Sequence, residues 1–221
     1  MNDNTQIEAF KVVLLGESGV GKTSIISQFI ESSFQEDLQT STGGTFSSKS
    51  FICNNSKILK FEIWDTAGQE RYRSLTKMFY KDAGAAVLVY DITSKASFEE
   101  LKNYWAEQIK ESAPSNIIIS IVANKSDLSE NEEVDEEAAR NYATEIGALF
   151  CTTSAKNSSG INDLFIQIAQ KHTGSDHIKI KGEEDDLSNS TNQSINEFKK
   201  NGSMKINASH FDKNERRRRC C

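Results

Sequence analysis

A glycine-rich segment between a predicted strand and a predicted helix carries the residues best suited to chemistry. Residues 16–23 read Gly-Glu-Ser-Gly-Val-Gly-Lys-Thr, which matches the phosphate-binding pattern G-x-x-x-x-G-K-[ST]. Glycines let backbone N–H groups converge on phosphate oxygens, and the following helix adds the positive end of its dipole. We predict that Lys22 reaches the β- and γ-phosphates of a nucleotide and that Thr23 binds Mg²⁺. The predicted nucleotide contacts in this loop are Gly16, Glu17, Ser18, Gly19, Val20, Gly21, Lys22, Thr23 and Ser24.

A carboxylate and an amide follow another predicted strand, in the motif Asp65-Thr66-Ala67-Gly68-Gln69. Asp65 can hold Mg²⁺, usually through a water molecule, because this cation prefers oxygen ligands. Gly68 allows the backbone to approach a γ-phosphate and to move when that phosphate leaves. Gln69 can orient the attacking water, so we predict that it is the catalytic residue of a phosphate hydrolysis.

Two later motifs suit the recognition of guanine. Residues 124–127 read Asn-Lys-Ser-Asp. Asp127 can accept hydrogen bonds from N1–H and the amino group of guanine, whereas adenine has an acceptor at N1 and would leave the carboxylate unpaired. Lys125 can cover the plane of the base, Asn124 can tie the loops together, and the alanine N–H of a Ser-Ala-Lys motif can meet the guanine carbonyl. The predicted base contacts are Asn124, Lys125, Asp127, Ser154, Ala155 and Lys156.

Strands and helices must alternate to bring these motifs together. Apolar runs predict strands at 10–15, 46–53, 57–64, 85–90, 117–123 and 148–152. Residues 54–56 read Asn-Asn-Ser and predict a hairpin between the second and third strands. Helical spacing of apolar residues in most other intervals predicts an α/β fold, with a mainly parallel sheet covered by helices on both faces. Because ligands bind at the carboxyl ends of such strands, the motifs should converge at one edge.

Composition separates a folded part from a tail. The chain has 221 residues and a net charge of −6, which argues against nucleic acid as a partner. We predict a flexible N-terminus at 1–9, a nucleotide-binding domain at 10–173 and a disordered tether at 174–219, because the tether is poor in aliphatic residues. The polar N-terminus lacks a signal-peptide pattern and no apolar run approaches the ~18 residues of a membrane span, so the sequence predicts a cytosolic protein.

In this order the motifs resemble those of the Ras-like small GTPases, and within them the Rab family. The resemblance covers roughly residues 8–172 and the two final cysteines. Four further stretches carry it: Lys60-Phe61-Glu62-Ile63-Trp64-Asp65, Arg71-Tyr72-Arg73-Ser74-Leu75-Thr76, Phe79-Tyr80-Lys81-Asp82-Ala83 and Leu88-Val89-Tyr90-Asp91-Ile92-Thr93. The start of the phosphate loop and the Lys-Phe-Glu-Ile-Trp string are most similar to the endosomal Rabs. The resemblance implies a three-layer P-loop GTPase domain with six strands and five helices that alternates between GDP- and GTP-bound states.

The segment between the first helix and the second strand departs from the Rab pattern. Rabs usually show Thr-Ile-Gly, an apolar residue, an acidic residue and Phe, and a hydroxyl here completes the Mg²⁺ coordination. Counting without gaps from Lys22 puts Ser41 in the threonine place and fits more of the neighbours. Counting back from Asp65 puts Thr42 there instead. Both residues supply a hydroxyl, and both alternatives stay open. The predicted Mg²⁺ ligands are therefore Thr23, Ser41 or Thr42, and Asp65.

The chain ends in Arg216-Arg217-Arg218-Arg219-Cys220-Cys221. This ending resembles the Cys-Cys ending of Rabs, which implies that Cys220 and Cys221 are geranylgeranylated. Two lipid chains meet the requirement for stable membrane anchoring, and the four arginines can add attraction to an anionic leaflet. The simpler alternative is a solvated basic tail with unmodified thiols.

Three aromatic residues, Phe46, Trp64 and Phe79, resemble the apolar triad that Rabs present to effector proteins. Each of the three can instead be a core residue, and for Trp64 the two alternatives are equally supported. The family resemblance further implies an exchange factor, a GTPase-activating protein and a GDP-dissociation inhibitor as partners. It also implies a monomer that cycles between the cytosol and the cytosolic face of endosomes or vesicles.

The function predicted from these features is a GTP-binding and slowly GTP-hydrolysing switch in vesicle or endosomal traffic, with Mg²⁺ as cofactor. Residues 31–46 contain no arginine. Because an arginine finger accelerates hydrolysis by roughly 10³–10⁵-fold, we predict slow turnover without an activating protein. One alternative is a binding module that holds nucleotide but barely hydrolyses it. Another is a P-loop kinase, which the Asn-Lys-Ser-Asp motif and the lack of an arginine-rich lid disfavour.

Overall fold

The structure, a computed structural model, describes residues 6–36, 44–53, 57–66 and 78–181, and the backbone of 204–205. The strands are β1 (Ile7–Leu15), β2 (Thr45–Ile52), β3 (Ile58–Asp65), β4 (Ala85–Asp91), β5 (Ile118–Asn124), β6 (Leu149–Thr152), β7 (Lys179–Ile180) and β8 (Met204–Lys205). The α-helices are α1 (Lys22–Glu31), α2 (Lys95–Glu100), α3 (Glu107–Ser112), α4 (Glu136–Glu145) and α5 (Ile161–Thr173). A π-helical stretch, Leu101–Ala106, joins α2 to α3.

The strands form one mainly parallel sheet, in the order β6-β5-β4-β1-β3-β2-β7. All pairs from β6 to β3 are parallel, and β2 is antiparallel to β3, as the hairpin signal predicts. The short strands β7 and β8 both pair with the outer edge of β2. The predicted α/β fold with a mainly parallel sheet is therefore confirmed, with two short strands added to the six principal ones.

Helices cover the central strands on both faces and enclose two apolar cores. Along β4, alternate residues turn to opposite sides, so that Val87 and Val89 enter the first core whereas Leu88 and Tyr90 enter the second. The helices α1 and α5 close the first core, and α2, α3, α4 and the π-helical stretch close the second. Because β4 is buried on both faces, it is apolar without alternation until its last residue. In the described part of the chain, no helix combines the length and apolar character that a membrane crossing requires.

The ordered part of the chain is longer at both ends than the predicted domain. Residues 7–9 belong to β1 rather than to a flexible N-terminus, since Ile7 pairs with Ile58 in the parallel ladder. At the other end, Gly174 terminates α5 in the left-handed conformation, with φ of 66°. The chain then turns back, buries Ile178 and Ile180 against the first core and pairs β7 with β2. Backbone pairing and a few isolated apolar residues attach both ends to the sheet. Neither feature produces a long hydrophobic pattern in the sequence, so the predicted domain was too short at both ends.

Several polar residues of the predicted site are the last residues of their strands. Asp65 ends β3 opposite Leu14, and Asn124 ends β5 opposite Asp91. The sequence analysis placed Asp65 and Asn124 just after their strands. The ladder includes them because backbone hydrogen bonding does not depend on the polarity of the side chain. The fold therefore presents these side chains at the carboxyl edge of the sheet.

Candidate functional site

A cavity of about 340 Å³ lies at the carboxyl edge of the sheet. Residues from both the phosphate motif and the guanine motifs line it, although these motifs lie far apart in the sequence. The predicted residues that line the cavity are Ser18, Gly19, Gly21, Lys22, Thr23, Ser24, Asn124, Lys125, Asp127, Ala155 and Lys156. The cavity is also lined by Phe34, Gln35, Glu36 and Leu128, which no predicted motif includes, and by Thr66, which the Asp65 motif includes without a predicted contact.

The phosphate loop depends on glycine at two points where another residue would collide. Gly21, with φ of +97°, immediately precedes α1, and a Cβ there would lie 2.3 Å from Nδ2 of Asn124. Gly16 has φ of +144°, and a Cβ there would lie 2.3 Å from the carbonyl oxygen of Val89. Positive φ also disfavours side chains at both positions. The loop therefore keeps its backbone close to β4 and to the guanine motif.

Lys22 is a buried cation that is held by its own loop. Its ammonium donates hydrogen bonds to the carbonyls of Gly16 (2.9 Å) and Glu17 (2.7 Å). Burial lowers the pKa of Lys22 from 10.5 to about 8, and the nearby carboxylates of Asp65 and Glu17 oppose this shift. A buried ammonium without a full counter-charge favours the arrival of an anion. The geometry therefore suits a polyphosphate that takes over the donors of Lys22.

Asp65 and Thr23 form a set of oxygen atoms that fits a hard divalent cation. The Thr23 hydroxyl donates a hydrogen bond to Oδ2 of Asp65 at 2.6 Å. Oδ1 of Asp65 is buried and accepts no hydrogen bond from any residue that the structure describes. Burial raises the pKa of Asp65, although the Thr23 hydroxyl and the Lys22 ammonium oppose this. Because a buried carboxylate oxygen without a partner is unfavourable, Mg²⁺ or a water bound to it would stabilise the ionised form.

Asn124 connects the phosphate side of the cavity to the base side. It is 1% exposed, and its Nδ2 donates to the carbonyl of Val20 at 2.8 Å. Its Oδ1 accepts a hydrogen bond from the hydroxyl of Thr153 at 3.1 Å. Thr153 directly precedes the Ser-Ala-Lys motif, so one amide joins three segments of the site.

The remaining guanine-motif residues have defined partners. Lys125 adopts the left-handed conformation, with φ of 68°, and forms an ion pair with Asp91 at the end of β4. Asp127 accepts a hydrogen bond from the hydroxyl of Ser154, which aligns one carboxylate oxygen. Five of the six predicted base-contact residues line the cavity, whereas Ser154 is fully buried and contributes through its hydrogen bond to Asp127. Sequence analysis gave no role to Asp91, although it lies in a stretch that carries the Rab resemblance.

Residues that follow α1 form one wall of the cavity. Phe34 packs partly against the first core and lines the cavity, and Glu36 forms an ion pair with Lys156. No motif includes Phe34 or Glu36. The only sequence signal for this wall was an isolated aromatic residue a few positions after the helix.

The three predicted effector-contact aromatics lie together on one face of β2 and β3. The ring centroids of Phe46 and Trp64 are 5.3 Å apart, and those of Trp64 and Phe79 are 5.8 Å apart. All three side chains are half-buried. They form a contiguous aromatic surface, and Trp64 belongs to neither core.

Some predicted residues lie outside the described residues. They are the Mg²⁺ candidates Ser41 and Thr42, the γ-phosphate residues Gly68 and Gln69, the lipidation sites Cys220 and Cys221, and the basic residues Arg216, Arg217, Arg218 and Arg219. The hairpin turn at 54–56 and most of the predicted tether also lie outside. Their roles stay predictions.

Comparison with known proteins gives a consistent result. The sequence model of the Ras family matches residues 11–173. Ras-related protein Rab-22A of Homo sapiens is 44% identical over 170 residues, which cover 77% of this chain and 87% of that protein. Ras-related protein Rab-5A of Dictyostelium discoideum is 44% identical over 171 residues, or 77% of this chain and 84% of the relative. Ras-related protein Rab-31 of Rattus norvegicus is 46% identical over 165 residues, which cover 75% of this chain and 84% of that protein.

Proposed function

Since this chain belongs to the Ras family, and within it to the Rab small GTPases, it is a GTP-hydrolysing molecular switch, and we propose that it regulates vesicle traffic at endosomal membranes. The observation that carries the proposal best is the shared cavity at the carboxyl edge of the sheet. A loop suited to phosphates and a carboxylate suited to guanine face the same space. Asn124 holds the two halves at a fixed separation through its bonds to Val20 and Thr153.

We propose that the chain's own residues divide the work of binding and hydrolysis. The amides of the phosphate loop and Lys22 bind the phosphates, and Asp127 selects guanine by accepting two hydrogen bonds. Mg²⁺, when bound, would offset charge on the β- and γ-phosphates. Thr23 and either Ser41 or Thr42 would hold the ion directly, and Asp65 would hold it through water. Gln69 would orient the attacking water.

We further propose that the chain works at a membrane with protein partners. Geranylgeranyl groups on Cys220 and Cys221, with the four arginines before them, would anchor it to the cytosolic face of endosomes or vesicles. The aromatic surface of Phe46, Trp64 and Phe79 is the proposed effector contact. An exchange factor, a GTPase-activating protein and a GDP-dissociation inhibitor would control its cycle as a monomer.

Single-turnover hydrolysis tests the catalytic part of this proposal. Purified protein is loaded with radiolabelled GTP, and conversion to GDP is followed with excess Mg²⁺ beside the Gln69→Leu variant. We expect slow conversion in the native protein and a large loss of rate in the variant, because leucine cannot hydrogen-bond the attacking water. Stable GTP in both proteins would instead favour a binding module that does not hydrolyse nucleotide. Equal hydrolysis rates would remove Gln69 from the mechanism.

A further inference from the structure

The mouth of the nucleotide cavity is bridged by a contact that no motif predicts. The cavity is lined by Phe34, Gln35 and Glu36 from the segment after α1 and by Ala155 and Lys156 from the loop after β6. Nζ of Lys156 lies 2.9 Å from Oε1 of Glu36. The ion pair therefore joins the segment after α1 to the loop after β6, at the cavity that Asp127 and Ala155 also line.

Both groups of this pair are held in their charged forms. A hydrogen bond from Lys156 and its positive charge lower the pKa of Glu36. The same contact raises the pKa of Lys156, and the carboxylate of Asp127 adds to this effect. The Glu36 side chain is 71% exposed and that of Lys156 is 52% exposed. An ion pair this exposed is weak by itself and sensitive to salt.

The position of the ion pair determines which motion it opposes. Residues 33–36 lie in the described part of the segment after α1, and few side-chain hydrogen bonds or ion pairs to other described residues hold them. The Ser33 hydroxyl bonds to Glu31, which is a local contact. Within the described ranges, the Glu36–Lys156 pair is the only side-chain hydrogen bond or ion pair that joins residues 33–36 to another element. A small interaction can therefore bias whether this wall of the cavity is closed or open.

We propose that the Glu36–Lys156 pair is a clasp that slows the release of bound guanine nucleotide. The proposal rests on the nucleotide binding proposed above. For a base seated beside Asp127 and Ala155, separation of residues 34–36 from the loop after β6 would open this part of the cavity. Separation breaks the ion pair, so the pair adds to the barrier for release. From the range typical of exposed pairs, its loss should accelerate release by about 1.5- to 5-fold.

The test measures dissociation of a fluorescent GDP analogue from the full chain, chased with excess GDP at constant Mg²⁺. Glu36→Gln removes the charge with little change of shape. Lys156→Gln supplies the second single variant, and both changes together complete a double-mutant cycle. Glu99→Gln is the matched control, because Glu99 pairs with Lys102 at the same distance of 2.9 Å on the surface of α2.

We expect Glu36→Gln to release the analogue about 1.5- to 5-fold faster than the native protein at low salt. At 1 M NaCl, where the screening length is about 3 Å, the two release rates should become equal. Glu36→Gln should have no further effect in the Lys156→Gln background, and Glu99→Gln should match the native protein. An unchanged rate in Glu36→Gln, or equal acceleration in the two backgrounds, would overturn the clasp while leaving nucleotide binding intact. Failure of the native protein to bind the analogue would overturn the proposed function and the clasp together.

Discussion

Replacing Asn124 by alanine should destabilise the whole domain, because this buried amide joins three segments of the site. The substitution removes the donor to the Val20 carbonyl and the acceptor for the Thr153 hydroxyl. Val20 is 2% exposed and Thr153 is fully buried, so water reaches neither position easily. Both groups would be left without their partner.

The expected cost follows from those two lost bonds. A buried polar group left without a partner costs about 1–3 kcal/mol, so two such groups set a range of about 2–6 kcal/mol. The Thr153 hydroxyl can rotate and the alanine leaves room for a water, which places the expected cost near 3 kcal/mol. For a domain of this size, that lowers the melting temperature by roughly 6–12 °C.

Urea unfolding of nucleotide-free protein, followed by circular dichroism, measures this cost. Asn131→Ala is the control. Asn131 is exposed and is the last residue of the 3₁₀ helix Ser126–Asn131, so this change should alter stability by less than about 0.5 kcal/mol. Thr153→Val should cost less in the Asn124→Ala background than in the native protein, since its hydroxyl has already lost its partner. A loss below about 1 kcal/mol in Asn124→Ala, or strictly additive effects of the two changes, would refute the structural reasoning.

Four further predictions test other parts of the site. Gly21→Ala should abolish tight GDP binding, because the new Cβ would collide with Asn124. Gly147→Ala is the control, since Gly147 also has a positive φ of +69° but no atom lies within 4 Å of the new Cβ. It should lower the free energy of unfolding by only about 1–2 kcal/mol and leave GDP binding intact. Asp127→Asn should weaken GDP binding by on the order of 10²–10⁴-fold, because one of the two acceptor oxygens becomes a donor. A fluorescence titration measures this affinity. Unchanged affinity would remove Asp127 from base recognition. GDP binding should take up about half a proton at pH 8 and less at pH 6.5, because the phosphates raise the pKa of Lys22 from about 8. Calorimetry in buffers of different ionisation enthalpy measures this proton uptake. No proton uptake at pH 8 would contradict the role of Lys22 in phosphate binding. Burial raises the pKa of Cys151 to about 11. In a variant whose other cysteines, Cys53, Cys220 and Cys221, are replaced by serine, the reaction of Cys151 with Ellman's reagent should therefore be very slow at pH 8 and accelerate as the pH rises. Rapid reaction of this variant at pH 8 would show that the thiol is not buried as described.

The sequence predicted the sheet because its signals are local. Phe10–Leu15, β4 and β5 are apolar runs bounded by turn residues, and such runs form buried parallel strands when helices cover both faces. The convergence of the phosphate and guanine motifs followed from the rule that parallel strands end at one edge. The boundaries were less accurate because backbone pairing continues past the apolar pattern. Ile7, Asp65 and Asn124 are strand residues for that reason.

The order of residues in the chain determined which binding chemistry is available. The tertiary structure decided how the residues that carry it are positioned and how deeply they are buried. Glycine spacing, a lysine beside a threonine and a carboxylate after an apolar strand each indicate phosphate, metal or guanine binding. Phosphate binding requires fixed hydrogen-bond donors at short range, whereas metal and guanine binding here require fixed acceptor oxygens. Burial by distant segments lowers the pKa of Lys22. The same burial leaves Oδ1 of Asp65 without a hydrogen-bond partner among the described residues. The Lys125–Asp91 and Glu36–Lys156 pairs join segments far apart in the sequence. No local pattern encodes such contacts, because burial and charge pairing depend on which segments the fold places side by side.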